Sequence, residues 1–351
     1  MIIIVLGRWS TNEYAITPGD ATPVAPLITI HGVKTNAKHD QILLTDVYLS
    51  TLSVWQEIVD HFKSHVQFVP ADELTEPGVS TGELTAQGFL EMSDAKQAAE
   101  VAAFRSLGWR VPSSPAGTVV TGVVESSPAA AANLHVGDEI VGVNTTTIRS
   151  NCQLVSYFHD KAPGTAVNLK VDRVKISNTG VLTYGSVSSV PLVTAAVPDY
   201  VAPSSCPGIT GADRSWLGVS LEDGFHFRLP ATVKIDTANI GGPSAGLAMT
   251  LTLINKLSAG SLTGGHVIAA TGTMSVDGQV GAVGGVEEKA VAVHRAGATY
   301  FIVPDGDGDV NAARAADQPD LTILPVRSLK QALHDLQRLG GVKPVALSKP
   351  D

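Results

Sequence analysis

The sequence has few charged residues and no dense run of basic ones. Of its 351 residues, 16% are charged, and the formal net charge is -9. A protein that neutralises nucleic-acid phosphates needs a basic face, which this composition does not supply. A nucleic-acid partner is therefore not expected.

Cysteine is also scarce. Cys152 and Cys206 are the two cysteines, and neither a CxxC pair nor a Cys/His cluster accompanies them. The sequence thus indicates no zinc site, and neither a metal nor a cofactor is expected. A disulfide between the two is compatible with the sequence but not required by it.

The sequence also contains neither a long apolar run at its start nor an ATPase motif. The first residues, MIIIVLG, hold six apolar residues before Gly7, whereas a membrane-spanning helix needs about 20. Segment 1–25 is therefore compatible with a first strand or frayed end, and equally with the remainder of a longer membrane anchor. No GxxxxGK[ST] motif occurs, so these residues encode no phosphate-binding loop of an ATPase.

What is present suits compact α/β or β-rich domains joined by many turns. Hydrophobic residues make up 44% of the chain, with 34 glycines and 20 prolines, and the length allows two or three domains. Near the start, residues 26–33 and 41–50 are predicted to form an antiparallel pair of strands. Apolar spacing predicts helices over 51–66 and 93–108, the second opened by Ser93 or Asp94 and closed by Gly108.

The pattern changes along the chain. From Thr118 to about residue 197 short strands and turns predominate, which indicates a small β-rich module. Residues 198–215 are rich in Pro, Gly, Ser and Asp and read as a connector. After it, strands alternate with helices, and this alternation predicts an α/β domain.

Ser244 is the first candidate for chemistry. In GGPSAG, Pro243 favours the first turn of a helix, where free N–H groups and the positive end of the helix dipole lie beside Ser244. Gly241 and Gly242 leave the backbone bare for a close approach, so these N–H groups can form an oxyanion hole. The alternative is an ordinary serine at a helix start.

Lys289 is the second candidate. In VEEKAVAVHRAGA it falls on the apolar stripe of Val286, Ala290 and Val293. An ammonium in apolar surroundings has a lowered pKa, and the neutral amine can take a proton from a serine hydroxyl. The alternative is a lysine that extends to solvent with its stem on the core.

These two residues carry a resemblance to a known family. GPSAG followed by a lysine in GGVEEKAVAVHRAGA resembles the proteolytic domain of the Lon proteases. The resemblance implies that Ser244 is the nucleophile, that Lys289 is the general base, and that Thr271 in AATGTM helps to hold the lysine. It covers about 120 residues strongly, from Val233 onward, and MSDAKQAAEVAAF at 92–104 extends it upstream.

The sequence also departs from the Lon pattern. The family has a charged pair where this chain has Asn239, Ile240 and Gly241, and a glutamate where it has Thr273. The family's His-x-His strand is replaced around VKID. These differences bear on substrate contacts rather than on the Ser/Lys pair.

The middle module resembles a bacterial PDZ domain through VVESSPAAAANLHVGDEIVGVNTTTI, residues 123–148. PDZ domains bind a peptide end by adding it to a sheet edge. The segment RVPSSPAGTVV is the nearest candidate for the loop that binds the terminal carboxylate.

Together the two resemblances describe the bacterial PDZ-containing Lon-like proteases. They imply an α/β (α+β) Lon-type domain with an inserted β-rich PDZ domain: residues 26–108 and 216–351 form the Lon-like part, 109–197 the PDZ domain and 198–215 a linker. They also imply protein or peptide substrates, peptide ends at the PDZ domain, a homo-oligomer (a hexamer in the family) and a place on the extracytoplasmic side of the cell membrane.

The expected function is an ATP-independent serine endopeptidase. The alternatives are an inactive peptide-binding scaffold and an esterase or amidase that uses the same pair. His226 is another candidate base for Ser244, but a histidine between aromatic residues is more often a packed or partly exposed strand residue, and His294 is expected at the surface. The stretch DGDGDVNAARAA, residues 305–316, lacks the glycine and glutamate of a calcium loop and is interpreted as a turn before a helix.

Overall fold

The computed structural model describes residues 10–36, 41–53, 65–70, 81–177, 182–202, 205–209, 214–306 and 318–347, and the single positions 56 and 59. Within them the helices are α1 (Thr81–Ser106), α2 (Pro128–Ala131), α3 (Asn151–His159), α4 (Gly246–Leu257), α5 (Val286–Arg295) and α6 (Leu329–Arg338). None of these helices is both long enough and apolar enough to cross a membrane.

The strands of the described residues are, in chain order, β1 (Ser10–Pro23), β2 (Ile28–His31), β3 (Ile42–Ser53), β4 (Gln67–Pro70), β5 (Ser113–Val123), β6 (Glu139–Val143), β7 (Thr146–Thr147), β8 (Ala166–Ile176), β9 (Leu182–Val193), β10 (Ala195–Ala196), β11 (Ser215–Trp216), β12 (Val219–Phe227), β13 (Thr232–Ile235), β14 (Ile268–Ala270), β15 (Thr273–Met274), β16 (Val280–Gly281), β17 (Tyr300–Pro304) and β18 (Thr322–Val326).

The chain divides into two compact units. The first contains Met1–Leu74, Asp94–Val111 and Leu229–Asp351, and the second contains Thr75–Ser93 and Pro112–Arg228. Helix α1 begins in the second unit and ends in the first.

The first unit is built on a mixed sheet with the strand order β18-β17-β14-β3-β1-β4. Strands β18, β17, β14 and β3 are parallel, and β1 runs antiparallel to β3 and β4. Val286, Ala290 and Val293 of α5 pack on Leu43 and Phe301 of this sheet. Helix α4 is largely apolar and is buried on every side except at Lys256, as expected of a core helix.

The second unit is an antiparallel sheet with the order β12-β5-β6-β8-β9, and β7 pairs with β6. Its core joins Val120, Ile140 and Leu169 of the sheet to Leu154 and Phe158 of α3. The sheet confirms the small β-rich module that the sequence predicts from Thr118 onward. Cys152 and Cys206 form a disulfide, which the sequence had left open.

The predicted pairing of the first two strands is wrong. Residues 28–31 and 42–53 are strands, but β2 pairs with β13 and β3 pairs with β1 and β14. The reason is that β1, inside the predicted N-terminal segment 1–25, occupies the antiparallel side of β3. Residues 1–9 lie outside the described part of the chain, as do most of the predicted helix 51–66, whose Leu52 lies in β3, and residues 307–316 of the predicted polar turn.

Two predicted boundaries also change. Helix α1 begins at Thr81, so Ser93 and Asp94 lie inside it rather than at its N-terminus. Gly108 follows its end, as predicted, and has a positive φ of 80°. The predicted linker ends at residue 215, but β12 pairs with β5 in the second unit. The structural division therefore falls after Arg228 rather than before residue 216.

Candidate active site and peptide groove

Ser244 lies in a single 3-10 turn, Pro243–Ala245, that leads directly into α4. Gly242 precedes the turn with a φ of 83°, a conformation that favours glycine. A Cβ at Gly242 would meet no atom within 4 Å, so the space in front of this residue is open to another chain. Gly241 is exposed, and the first N–H groups of a helix have no partner within the helix. This arrangement suits the predicted oxyanion site.

The turn is fastened through the backbone of Ser244. The Ser244 carbonyl accepts hydrogen bonds from the Gly272 N–H at 2.9 Å and from the Thr271 hydroxyl at 3.3 Å. Leu247 N–H in turn donates to the Gly272 carbonyl. A Cβ at Gly246 would lie 2.8 Å from the Met274 nitrogen, so only glycine lets α4 approach β15 this closely. The nucleophile candidate is thus positioned without using its side chain.

Thr271 is fully buried and lies directly after β14. Its N–H donates to the Ile302 carbonyl of β17, and its hydroxyl reaches Ser244 as described above. The structure therefore joins Thr271 to Ser244 by a direct hydrogen bond, whereas the predicted contact between Thr271 and Lys289 stays a prediction.

Lys289 does not extend to solvent, because only 3% of it is exposed. It lies in the first half of α5, next to Val286 and Ala290, which pack on the sheet. Burial lowers the pKa of the Lys289 ammonium to about 8, and the negative charges of Asp46 and Glu288 oppose part of that shift. With this pKa about a tenth of the Lys289 side chain is neutral at pH 7 and about half at pH 8, and the neutral amine can accept a proton.

Strand β3 packs against both elements that carry the candidate residues. The turn that carries Ser244 packs against β3, and α5, which carries Lys289, packs against β1 and β3. At the start of α5, a Cβ on Gly285 would lie 2.9 Å from a methyl group of Val47, and Gly285 has a φ of 67°. This glycine allows the helix to begin directly on the strand.

Asp46 is a residue of the site that the sequence analysis missed. It lies in β3 beside Val47, and its Oδ1 accepts a hydrogen bond of 2.7 Å from the Asp20 N–H. Strand β1 bulges here, between Pro18 and Ala21, and Gly19 packs against the carboxylate. Burial raises the pKa of Asp46, whereas the Asp20 N–H and the charge of Lys289 lower it. A lone carboxylate in the apolar run QILLTDVYLS was the available signal.

The role of Asp46 can be tested with Asp46→Asn, which removes the charge and keeps an oxygen for the Asp20 N–H. Because the Asp46 charge raises the pKa of Lys289, its removal is expected to move the acid limb of the kcat/KM pH profile to lower pH. The matched control is Asp20→Asn, since Asp20 does not contribute to the Lys289 shift. An acid limb that stays in place or moves to higher pH would contradict this role.

A second candidate site lies in the β-rich unit, between α3 and the edge strand β12. Strand β12 pairs with β5 on one side and is the last strand of its sheet among the described residues. An apolar cavity of about 180 Å³ opens between them, lined by Leu154 and Phe158 of α3 and by Leu217, Val219 and Leu221. An edge strand beside a helix is the setting for adding a peptide strand.

The loop before β12 presents two N–H groups. The Leu217 carbonyl accepts from Ala129 N–H, and the Gly218 carbonyl accepts from Val124 N–H, both at 2.9 Å. A trans peptide places its N–H opposite its carbonyl, so the N–H groups of Gly218 and Val219 point away from residues 124–129. They are available for a carboxylate.

The predicted carboxylate-binding segment RVPSSPAGTVV is therefore wrong. Most of it forms β5, which is hydrogen-bonded to β12 on one side and to β6 on the other. A strand paired on both edges cannot accept a peptide strand. The loop at residues 216–219 is the better candidate, and it lies in the stretch that the sequence analysis assigned to the Lon-like domain. His226 is in this second unit, on β12, and not in the unit that holds Ser244.

Comparison with known proteins finds two family models in this chain. Residues 226–338 match the family model of the Lon protease (S16) C-terminal proteolytic domain, and residues 105–180 match that of the PDZ domain. The chain is 34% identical over 119 residues to a Lon protease of Frankia alni, covering 33% of this chain and 13% of that protein. It is 48% identical over 63 residues to a Lon protease of Clostridioides difficile, covering 18% and 8%.

Among solved structures, the PDZ domain of the SdrC-like protein of Listeria monocytogenes aligns with 20% identity and a TM-score of 0.22, covering 30% of this chain and 86% of that one. The two Lon proteases named above are much longer than this chain, which spans only a small part of their length. Both family resemblances drawn from the sequence are confirmed: the chain carries a Lon-type proteolytic domain at residues 226–338 and a PDZ domain at residues 105–180.

Proposed function

We propose that this protein is an ATP-independent serine endopeptidase that hydrolyses peptide bonds with Ser244 as nucleophile and Lys289 as general base. The observation that carries the proposal is the buried Lys289 with its pKa lowered to about 8. Burying an ammonium is unfavourable, and a protein that only binds peptides has no use for it. This observation and the Lon-type domain match both disfavour the inactive scaffold.

The proposed reaction has two stages. Neutral Lys289 takes the proton of the Ser244 hydroxyl as Oγ attacks the peptide carbonyl carbon, and backbone N–H groups of the Gly241–Ser244 turn stabilise the oxyanion. The protonated lysine then gives its proton to the leaving amine, and an acyl-enzyme ester remains. Water, deprotonated by Lys289, hydrolyses this ester and releases Ser244.

The PDZ domain is proposed to recruit substrates by their carboxyl ends, through the cavity beside β12 and the N–H groups of Gly218 and Val219. A place on the extracytoplasmic side of the cell membrane belongs to the same proposal. The Cys152–Cys206 disulfide supports it, because disulfides persist in oxidising compartments. Assembly as a homohexamer is proposed by family resemblance alone.

The test is hydrolysis of casein by the full chain without ATP, between pH 7 and pH 9, together with labelling by a fluorophosphonate probe. Fragments from casein and labelling of Ser244 are expected. Hydrolysis of short esters with casein left intact would favour the esterase. If neither hydrolysis nor labelling is detected across this pH range, the inactive peptide-binding scaffold becomes the better hypothesis.

A further inference from the structure

The groove of the PDZ domain has a third wall besides α3 and β12. Val197, Val201 and Ala202 line the same cavity, and they belong to the segment between β10 and β11. We call residues 197–209 the tethered loop, of which the structure describes 197–202 and 205–209. The sequence analysis treated most of it as a linker between domains.

The tethered loop is fastened at three places. The strands that flank it, β10 and β11, pair with each other, with Ala195 opposite Trp216. Cys206 is bonded to Cys152 in the first turn of α3. Just after the loop, the Ser215 hydroxyl donates to the Phe158 carbonyl at 3.0 Å and Arg214 N–H donates to the His159 carbonyl at 3.2 Å, at the last turn of α3. The segment is therefore bound to both ends of the helix that forms the groove.

The cavity is small and apolar. Its volume is about 180 Å³, close to the roughly 150 Å³ of an apolar cavity that admits benzene. His159 is the single titratable residue among the described lining residues. A space of this size and lining suits one aliphatic side chain, and it excludes an indole ring unless a wall moves.

Of the three walls, two cannot move easily. Leu154 and Phe158 on α3 are buried in the core of the unit, and β12 is hydrogen-bonded along β5. The tethered loop has no such core: Ala202, Ser205, Pro207 and Gly208 are exposed. What holds its middle to α3 is the disulfide.

We propose that the tethered loop is the specificity-determining wall of the peptide groove: it limits ligands to peptides that end in a medium aliphatic residue, and it does so only while the Cys152–Cys206 bond is intact. The inference rests on the proposed recruitment of peptide ends. Reduction by dithiothreitol supplies two electrons and two protons, gives two thiols, and converts the reductant to its cyclic disulfide. Because the chain has two cysteines, this reagent acts on one bond only.

The experiment measures fluorescence anisotropy of the full chain with labelled peptides Gly-Ser-Gly-Ser-Ala-X, where X is Val, Leu, Phe or Trp with a free carboxylate. The oxidised protein is expected to bind the Val and Leu peptides about tenfold more tightly than the Trp peptide. After reduction, and in the Cys152→Ser/Cys206→Ser double variant, this ratio is expected to fall to about threefold or less.

Two substitutions distinguish an effect of the tethered loop on ligand preference from a general effect on peptide binding. Val201→Ala, with the disulfide intact, enlarges the cavity and is expected to shift preference toward the Phe peptide. Tyr200→Ala is the matched control, since Tyr200 is the neighbouring residue, is 75% exposed and does not line the cavity. Labelling of Ser244 by the fluorophosphonate probe is expected to be unchanged in all of them.

The outcomes are distinguishable. The ratio of affinities for the aliphatic and aromatic peptides decides the role of the tethered loop. If this ratio is the same in oxidised and reduced protein, or is about one in the oxidised protein, the loop does not determine specificity, and peptide recruitment is unaffected. Failure of every peptide to bind in both redox states, with Ser244 labelling intact, overturns recruitment and the wall together but not the peptidase. If the double variant does not fold, circular dichroism reveals it, and the reduced wild type and Val201→Ala decide the question.

Discussion

Replacing Ser244 with alanine is expected to abolish casein hydrolysis, with kcat reduced about 10⁴-fold or more. The variant removes the only atom that can form the acyl-enzyme in the proposed reaction. It should keep the fold, because the two hydrogen bonds described for Ser244 use its carbonyl and not its hydroxyl. Measured kcat and the circular dichroism spectrum together test this expectation.

The matched control for this variant is Ser106→Ala. Ser106 lies at the end of α1, and its hydroxyl donates to the Ala103 carbonyl, so its loss should leave hydrolysis unchanged. If Ser244→Ala retained hydrolysis within tenfold of the wild type, Ser244 would not be the nucleophile and the proposed mechanism would fail.

Replacing Lys289 with methionine is expected to have two opposite effects: loss of hydrolysis and a gain in stability near neutral pH. Methionine fills similar space and cannot take a proton, so the general base is lost. The gain in stability follows from the pKa of Lys289, which is about 8 in the folded chain and 10.5 for an unperturbed lysine. Below pH 8 the ammonium is charged in both states, and the folded state bears the full cost of burying it.

The sign of the pH dependence can be worked out from these values. Between pH 8 and 10.5 the unfolded chain binds a proton that the folded chain does not, so the wild type becomes more stable as pH rises. The stabilisation by Lys289→Met is therefore expected to be largest at pH 7, about 3 kcal/mol, and to vanish above about pH 10.5.

Urea unfolding of the variant and the wild type at pH 7, 9 and 10.5 measures this difference directly. Lys289→Arg is the control that keeps the charge: it should be inactive, because a guanidinium does not lose its proton, and it should not be stabilised. A variant with methionine that is less stable than the wild type at pH 7 would show that Lys289 is not buried as a costly cation.

The comparison of sequence with structure depends on how far apart the interacting residues lie. Ser244, Lys289 and the elements that carry them follow from local patterns: a proline and glycines at a turn, and an apolar stripe at helical spacing. The partner of β2 is β13, about 200 residues away, and no local pattern shows that pairing. The same holds for Asp46, which acts on Lys289 from a strand at the other end of the chain.

The peptide groove was missed for a related reason. Trp216, Leu217 and Gly218 follow a connector rich in Pro and Gly, so the boundary of the module was placed just before them. The hydrogen bonds of Leu217 and Gly218 to residues 124–129 are what place the loop in the second unit. A boundary drawn from composition cannot show that β12, which follows this long connector, pairs with β5 of the same sheet.

The order of strands in the first unit has a consequence for the newly made chain. Strand β14 lies between β3 and β17, so the sheet cannot close before residues 268–304 have been synthesised. Lys289 is desolvated only when α5 packs on β1 and β3, and until then its amine has no reason to lose a proton at neutral pH. Since domains assemble as their segments leave the ribosome, an unfinished chain has a serine but no base. In the proposed mechanism, a chain that ends before β17 therefore carries the nucleophile without a neutral base, and hydrolysis is expected only after the sheet has formed.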